Sequence, residues 1–286
     1  MSKLDVYEIV TDRIIGMLEN GVVPWQKSWT TADSAPVNLV SKKNYRGLNV
    51  WLLGSAGYAS PYWLSYKQAT ELGGQVRKGE KSTMVVFWTQ FETLDKASGK
   101  KKNIPLLRYY NVFNVQQVDG IEYPKPEDTK KIDFCRIAEA EKLVVNMPQK
   151  PTILHGEQRA YYNRASDYVN MPQKDSFDKE ENYYSVLFHE LTHATGHESR
   201  LGRLQDSVSG FGSTSYAKEE LVAEMGASYL CATAGIVDRT IDNSAAYIAN
   251  WLTALKNDKK LVVSAAGKAQ KAVDFILGIK MEAPVA

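Results

Sequence analysis

Three of the four histidines in this 286-residue chain fall within nine residues, at His189, His193 and His197. The first two lie four apart in Ser185-Val186-Leu187-Phe188-His189-Glu190-Leu191-Thr192-His193, inside a helical pattern with an apolar flank. Residues i and i+4 share one helix face, so both imidazoles can reach one ion, with Glu190 adjacent to act on a water there. A fold built around this segment must bury the helix and bring a further protein ligand to it. A catalytic zinc takes three protein donors and keeps a fourth position open.

The pattern matches the HExxH signature of zinc peptidases, in which the glutamate accepts a proton from the attacking water and passes it to the leaving amine. Three candidates compete for the third ligand. The position ten residues after His189 is Ser199, which does not ligate as a histidine would there. His197 follows Gly196, where the helix is expected to end. A glutamate from the next helix is the third solution, and Lys218-Glu219-Glu220-Leu221-Val222-Ala223-Glu224 offers it. Glu220 is the expected ligand. Glu224, one turn on, is expected to accept the free N–H of a ligand histidine. Glu219 points about 100° away and is expected to face solvent. Asp167 to Met171 reads as an edge strand for an extended peptide substrate. Tyr168, Tyr229 and Tyr247 are candidate donors to a tetrahedral oxyanion.

A net charge of +2, from 35 Lys/Arg and 33 Asp/Glu, conceals an asymmetry. Residues 37 to 110 hold 12 Lys/Arg against 4 Asp/Glu, whereas residues 151 to 250 hold 8 against 14. Five of the six tryptophans precede residue 90, so the two regions carry different chemistry. Cys135 and Cys231 are too few for a disulfide scaffold and read as small buried hydrophobes. The opening residues are charged and helical, with no apolar core of a signal peptide, and no run approaches the ~18 apolar residues of a transmembrane helix. A cytoplasmic protein with no membrane partner is expected.

Periodicity predicts helices over about 4–20, 65–72, 133–146, 178–195, 216–234, 243–256 and 264–277, with strands at 83–91 and 106–115 joined through Ala97-Ser98-Gly99-Lys100. Short strands are expected at 153–155, 160–162 and 168–171. Gly120, Pro124 and Pro126 with mixed charges mark a linker between 119 and 131. Residues 1–124 are therefore expected to form one domain and 125–286 a second. The fold class is α+β: an α+β front with a long hairpin, then a mainly helical domain with a small sheet.

In the front segment, Lys42, Lys43, Arg46, Arg77, Lys78, Lys81 and Arg108 alternate with Tyr45, Trp51, Trp63, Trp88, Tyr109 and Tyr110. Sequence-tolerant binding of single strands needs this combination, cations along the phosphates and aromatics on which bases stack for ~1–3 kcal/mol each. Of these, Lys42, Lys43, Tyr45, Arg46, Trp51, Trp63, Arg77, Lys78, Lys81 and Trp88 are the expected DNA contacts.

Several segments resemble the N-terminal domain of ArdC-type antirestriction proteins: Leu18-Glu19-Asn20-Gly21-Val22-Val23-Pro24-Trp25, Asn44-Tyr45-Arg46-Gly47-Leu48-Asn49-Val50 and Gly74-Gln75-Val76-Arg77-Lys78-Gly79-Glu80-Lys81-Ser82. The run His189 to His197, Arg200-Leu201-Gly202-Arg203 and Glu219 to Glu224 are similar to that family's zincin-like metallopeptidase domain. The resemblance implies a plasmid-borne factor that binds single-stranded DNA and protects it from host restriction during conjugation. Its metal would be divalent, Zn²⁺ first and Mn²⁺ second. Two alternatives stand beside it: a metalloprotease that cleaves a host restriction factor and uses DNA only for localisation, and a DNA-binding protein with a structural metal site that His197 would help to close.

Overall fold

The computed structural model describes residues 5–25, 35–94, 101–125, 136–204, 214–236 and 245–279. The chain divides into two compact units: residues 1–13 with 30–129, and residues 14–29 with 130–286. The described residues include no helix long and apolar enough to cross a membrane.

The first unit is built on a four-stranded sheet. Its elements are α1 (Val6–Glu19, of which the first half belongs here), β1 (Val37–Asn38), α2 (Leu48–Gly54), β2 (Tyr62–Ser65), α3 (Tyr66–Glu71), β3 (Gln75–Val76), β4 (Thr83–Leu94), β5 (Lys101–Asn114) and β6 (Val118–Asp119). The sheet order is β1-β2-β5-β4, with β1 parallel to β2 and the remaining pairs antiparallel; β3 and β6 form a separate two-stranded ladder. The expected long hairpin is β4–β5, running further toward its turn than its β-branched residues indicate, to Leu94 and from Lys101. Its connecting turn lies outside the described residues.

The edge of β4 is covered by a side chain. Asn49 Nδ2 donates to the Val86 carbonyl at 2.7 Å and Asn49 Oδ1 accepts from the Val86 N–H at 2.8 Å, as a strand partner would. Ser65 starts α3 with a reciprocal cap in which Gln68 N donates to Ser65 Oγ and Ser65 N donates to Gln68 Oε1. Leu53, Trp63, Val85 and Val112 form one buried cluster, and Leu39, Leu64, Ala69, Val115 and Val118 form another.

The second unit holds α4 (Arg136–Val145), β7 (Thr152–Leu154), β8 (Tyr161–Asn163), β9 (Tyr168–Asn170), α5 (Glu180–Ala194), α6 (Thr214–Thr233), α7 (Ala245–Asn257) and α8 (Leu261–Ile276). Helix α6 is buried on every side from Leu221 to Cys231 and packs against both α5 and α8. Cys231 is thus a buried residue, and Cys135 lies outside the described ones. The three-stranded sheet has the order β7-β9-β8. This corrects the expectation for 167–171: β9 is the central strand, parallel to β7 and antiparallel to β8, and has no edge to offer. Its Val169 and the adjoining Met171 are fully buried, which suits a strand paired on both sides. The edge strand next to α5 is β8.

Trp25 also belongs to this unit, although it stands in the tryptophan-rich front of the sequence. Its ring is buried edge-on against Trp251 at 5.3 Å, and its carbonyl accepts a hydrogen bond from Ser228 Oγ at 2.5 Å.

Candidate metal centre and nucleic-acid face

Helix α5 carries His189 and His193 one turn apart, and α6 packs beside them with Glu224 facing His189, Glu219 facing His193 and Glu220 reaching both. The two helices approach closely because α6 has Gly226 opposite Thr192. A Cβ at Gly226 would stand 2.5 Å from Thr192 Cγ2 and 2.7 Å from its Oγ1, so any larger residue would push the helices apart.

The donor atoms converge. His189 Nε2 and His193 Nε2 are 3.1 Å apart; Glu220 Oε2 lies 3.5 Å from the first and Oε1 lies 3.4 Å from the second. Donors on a tetrahedral ion with bonds of ~2.0–2.1 Å are themselves ~3.3 Å apart. The triangle therefore has the size a divalent cation requires, and among the described residues it is the group of three or more His, Cys, Asp or Glu that could hold one. His197 stands outside it. Helix α5 ends at Ala194, Gly196 is crowded by Leu204, and the His197 Nδ1 accepts from the Ser199 backbone N–H at 3.2 Å.

Each imidazole has a carboxylate at its other nitrogen. Glu224 Oε1 is 3.5 Å from His189 Nδ1, and Glu219 Oε1 is 3.3 Å from His193 Nδ1. The solvent-facing expectation for Glu219 is corrected here. The helix wheel gives its direction, but the segment after α5 folds back over that side and places Arg203 against it, with Nη2 2.8 Å from Glu219 Oε1.

Charge explains the protonation of the site. Burial pushes the His193 imidazole down, but Glu219 and Glu220 more than offset this and hold it up at about 10. His189 is raised in the same way, burial being outweighed chiefly by Glu220. Burial pushes Glu220 up, and the two imidazoles more than reverse it, leaving its carboxyl well below the ordinary range. Carboxylates so concentrated need positive charge between them, from protons or from a cation. Glu190, the residue between the two histidines that the HExxH pattern makes the base, is buried. Of the tyrosine candidates, Tyr168 Oη pairs with Tyr161 Oη at 3.1 Å and Tyr229 is in the core; the side chain of Tyr247 lies outside the described residues.

Arg200 anchors the sheet to the end of α5. Its guanidinium, 2% exposed, grips Asp167 through Nη1 at 2.8 Å and Nη2 at 2.9 Å and donates to the Ala194 and Gln149 carbonyls. Burial pushes the Asp167 carboxyl up, but Arg200 and the Tyr162 hydroxyl outweigh it and hold it below its usual value. Asp167→Asn is expected to cost about 2 kcal/mol, less than a fully buried pair because Asp167 is one-third exposed. A carboxyl depressed on folding stabilises above its unfolded value of ~3.9 and loses that contribution as pH falls through the folded value. Urea unfolding across the acid range should therefore show the wild-type advantage shrinking below about pH 4; a pH-independent gap would contradict the pairing.

The front unit sorts the expected DNA contacts into two sets. Lys42, Lys43, Arg46, Arg77, Lys78, Lys81 and Trp88 are exposed. Arg77 is engaged with Glu80 at 2.8 Å and Asp119 at 3.3 Å. Trp51 and Trp63 are 1% and 2% exposed and cannot offer a ring face to a base, a correction with a plain cause: α2 and β2 turn them into the core, where Tyr58 packs edge-on to Trp63 at 5.5 Å. Tyr45 is half-buried against the same cluster. The hairpin instead exposes residues outside the expected set. Phe87 stands opposite Arg108, Phe91 opposite Ile104 and Val85 opposite Tyr110, so these side chains share one face. Phe87, Phe91, Ile104, Leu106 and Tyr110 are all exposed on it. Trp88, 55% exposed, and Tyr109 lie on the opposite face, Trp88 edge-on to Tyr7.

Comparison with known proteins matches both units. Residues 4–113 match the N-terminal domain of anti-restriction factor ArdC, and residues 138–268 match a zincin-like metallopeptidase family. Crystal structures of the antirestriction protein ArdC from the R388 plasmid, metal-free and Mn(II)-bound, superpose with TM-scores of 0.77 and 0.76 at 41% identity, covering 96% of this chain and 97% and 98% of theirs. The chain is 38% identical to the Sinorhizobium fredii protein y4eC, described as uncharacterized, over 95% of its own length and 91% of that protein's. It is 36% identical to the Escherichia coli DNA primase TraC, of which it spans 28%.

Proposed function

Because the chain belongs to the ArdC family of antirestriction proteins, with a zincin-like metallopeptidase domain behind the family's N-terminal domain, we propose that it binds single-stranded DNA. By coating the strand in the cytoplasm, it would protect incoming plasmid DNA from host restriction during conjugation. The observation that carries this reading is the exposed hairpin face of Phe87, Phe91 and Tyr110 beside Arg108, together with the exposed cations among residues 42–46 and 77–81 of the same unit. Aromatic faces supply stacking without base preference, and cations supply phosphate contacts. The related segment in TraC sits within a protein named as a DNA primase, which favours a DNA-handling role.

The second unit is read as a divalent-metal peptidase centre, with His189, His193 and Glu220 as the residues that would hold the ion. A bound cation supplies Lewis acidity at a carbonyl oxygen and acidity to a water beside it. The Glu190 carboxylate takes the water's proton and delivers it to the amine nitrogen that leaves. Glu224 and Glu219 accept from the two Nδ1–H groups and keep both Nε2 lone pairs aimed at one point. The edge of β8 would pair with an extended peptide. Zn²⁺ and Mn²⁺ both suit two imidazoles and a carboxylate, and the Mn(II)-bound relative supports the second. A second reading makes hydrolysis of a host restriction factor the protective act, with DNA binding only for localisation; it is favoured by a base-bearing helix next to β8, an edge strand of its sheet among the described residues.

Neutralising Lys42, Arg46, Arg77 and Lys78 together tests the DNA reading. Affinity for single-stranded DNA should fall, and the slope of log affinity against log salt should flatten by about 0.7 for each phosphate that is no longer neutralised. Arg77, already held by two carboxylates, should contribute least. Unchanged affinity and slope would contradict it.

A further inference from the structure

We propose that Arg203 is the positioning residue of the metal centre: it holds Glu219 against His193 Nδ1, directs the Nε2 of that histidine to the point shared with His189 and Glu220, and so sets the affinity for a divalent cation. The inference rests on the reading of His189, His193 and Glu220 as metal ligands.

Arg203 comes from the segment that returns after α5, and its side chain is 8% exposed. Its nitrogens serve both helices. Nε lies 3.1 Å from each Glu219 oxygen and Nη2 lies 2.8 Å from Oε1, which is a fork on the α6 carboxylate. Nη1 donates to Thr195 Oγ1 and Nη2 to the Thr192 carbonyl, both at the end of α5. The guanidinium thus fixes the carboxylate plane with reference to the helix that carries His193. Glu219 Oε1 is shared between Arg203 and His193, and so links the permanent cation to the imidazole.

A planar fork that is always charged does this where a lysine would not, because a single ammonium leaves the carboxylate free to rotate. Without Arg203, Glu219 would be a buried charge facing only an imidazole. It would then be free to turn, which releases the Nδ1 contact. His189 Nδ1 faces Glu224 Oε1, which comes from α6 as Glu219 and Glu220 do.

The test is titration of Mn²⁺ and of Zn²⁺ into the metal-free full chain near neutral pH, for the wild type, Arg203→Met, Arg203→Lys, Glu219→Gln and the Arg203→Met/Glu219→Gln double variant, with thermal unfolding alongside. Arg203→Met and Glu219→Gln are each expected to weaken affinity about 10- to 100-fold. The double variant should weaken it no further than the larger single change, because both break the same chain of hydrogen bonds. Arg203→Lys should fall between wild type and Arg203→Met. A merely structural Arg203 would lower the unfolding temperature while leaving affinity within about twofold, or would add its effect to that of Glu219→Gln; either result overturns the proposal. A wild type that binds neither ion overturns the metal reading itself, which separates the two failures.

Discussion

Replacing Phe87, Phe91 and Tyr110 together with alanine is expected to lower affinity for single-stranded DNA by at least about a hundredfold. Each stacked base contributes ~1–3 kcal/mol, and about 1.4 kcal/mol is tenfold. The three effects should not add fully, because the Phe87 and Tyr110 rings already touch edge-on at 5.5 Å and share their surroundings. Fluorescence anisotropy with a labelled oligonucleotide of mixed sequence measures the change. All three side chains are exposed, so the unfolding temperature should move little. Trp51→Phe and Trp63→Phe are the matching controls. They should cost stability through the core and leave DNA affinity nearly as it was, since neither ring reaches the surface. If the hairpin variant bound like wild type and the tryptophan variants did not, the stacking face would be misplaced.

Glu190→Gln is expected to reduce metal-dependent peptide hydrolysis by about 10²- to 10⁴-fold, the range for removal of a general base. The amide keeps the shape of the buried side chain and leaves His189, His193 and Glu220 in place, so metal affinity should stay near wild type. Turnover of a peptide library with and without added metal, beside direct metal titration, separates these quantities. Loss of metal binding in this variant would mean that Glu190 holds the ion rather than the proton.

The two halves of the chain differ in how far their sequence can be read. His189 and His193 come together because helical spacing alone sets their separation, and no tertiary information is needed. Glu220 requires a second helix to return antiparallel, which the acidic and small-residue run from Lys218 to Ala227 signals through Gly226, the glycine that allows close approach. Glu219 shows the limit of a helix wheel, which gives a direction and says nothing of what another segment places there. Arg200 and Arg203 are visible in the sequence only as part of a motif, because arginine in a loop reads as surface unless a buried carboxylate awaits it. In the front unit, Trp51 and Trp63 group with the exposed aromatics because aromatic residues at strand and helix spacing suit a core and a stacking face equally well. Helix α2 escapes the pattern; Leu48 to Leu53 is short and apolar, without the periodicity that identifies a helix. The sequence reading places 167–171 at an edge of the small sheet because strand order depends on the β7 pairing, which no local pattern encodes.

The most direct measurement of the central claim is transfer of restriction-sensitive plasmid DNA by conjugation into a restricting host, with wild type, Glu190→Gln or the Phe87/Phe91/Tyr110 alanine variant supplied at equal levels. Coating of the strand as the protective act predicts that Glu190→Gln protects like wild type and that the hairpin variant does not. Loss of protection by Glu190→Gln with DNA affinity intact, together with protection by the hairpin variant, would contradict it and make hydrolysis the function.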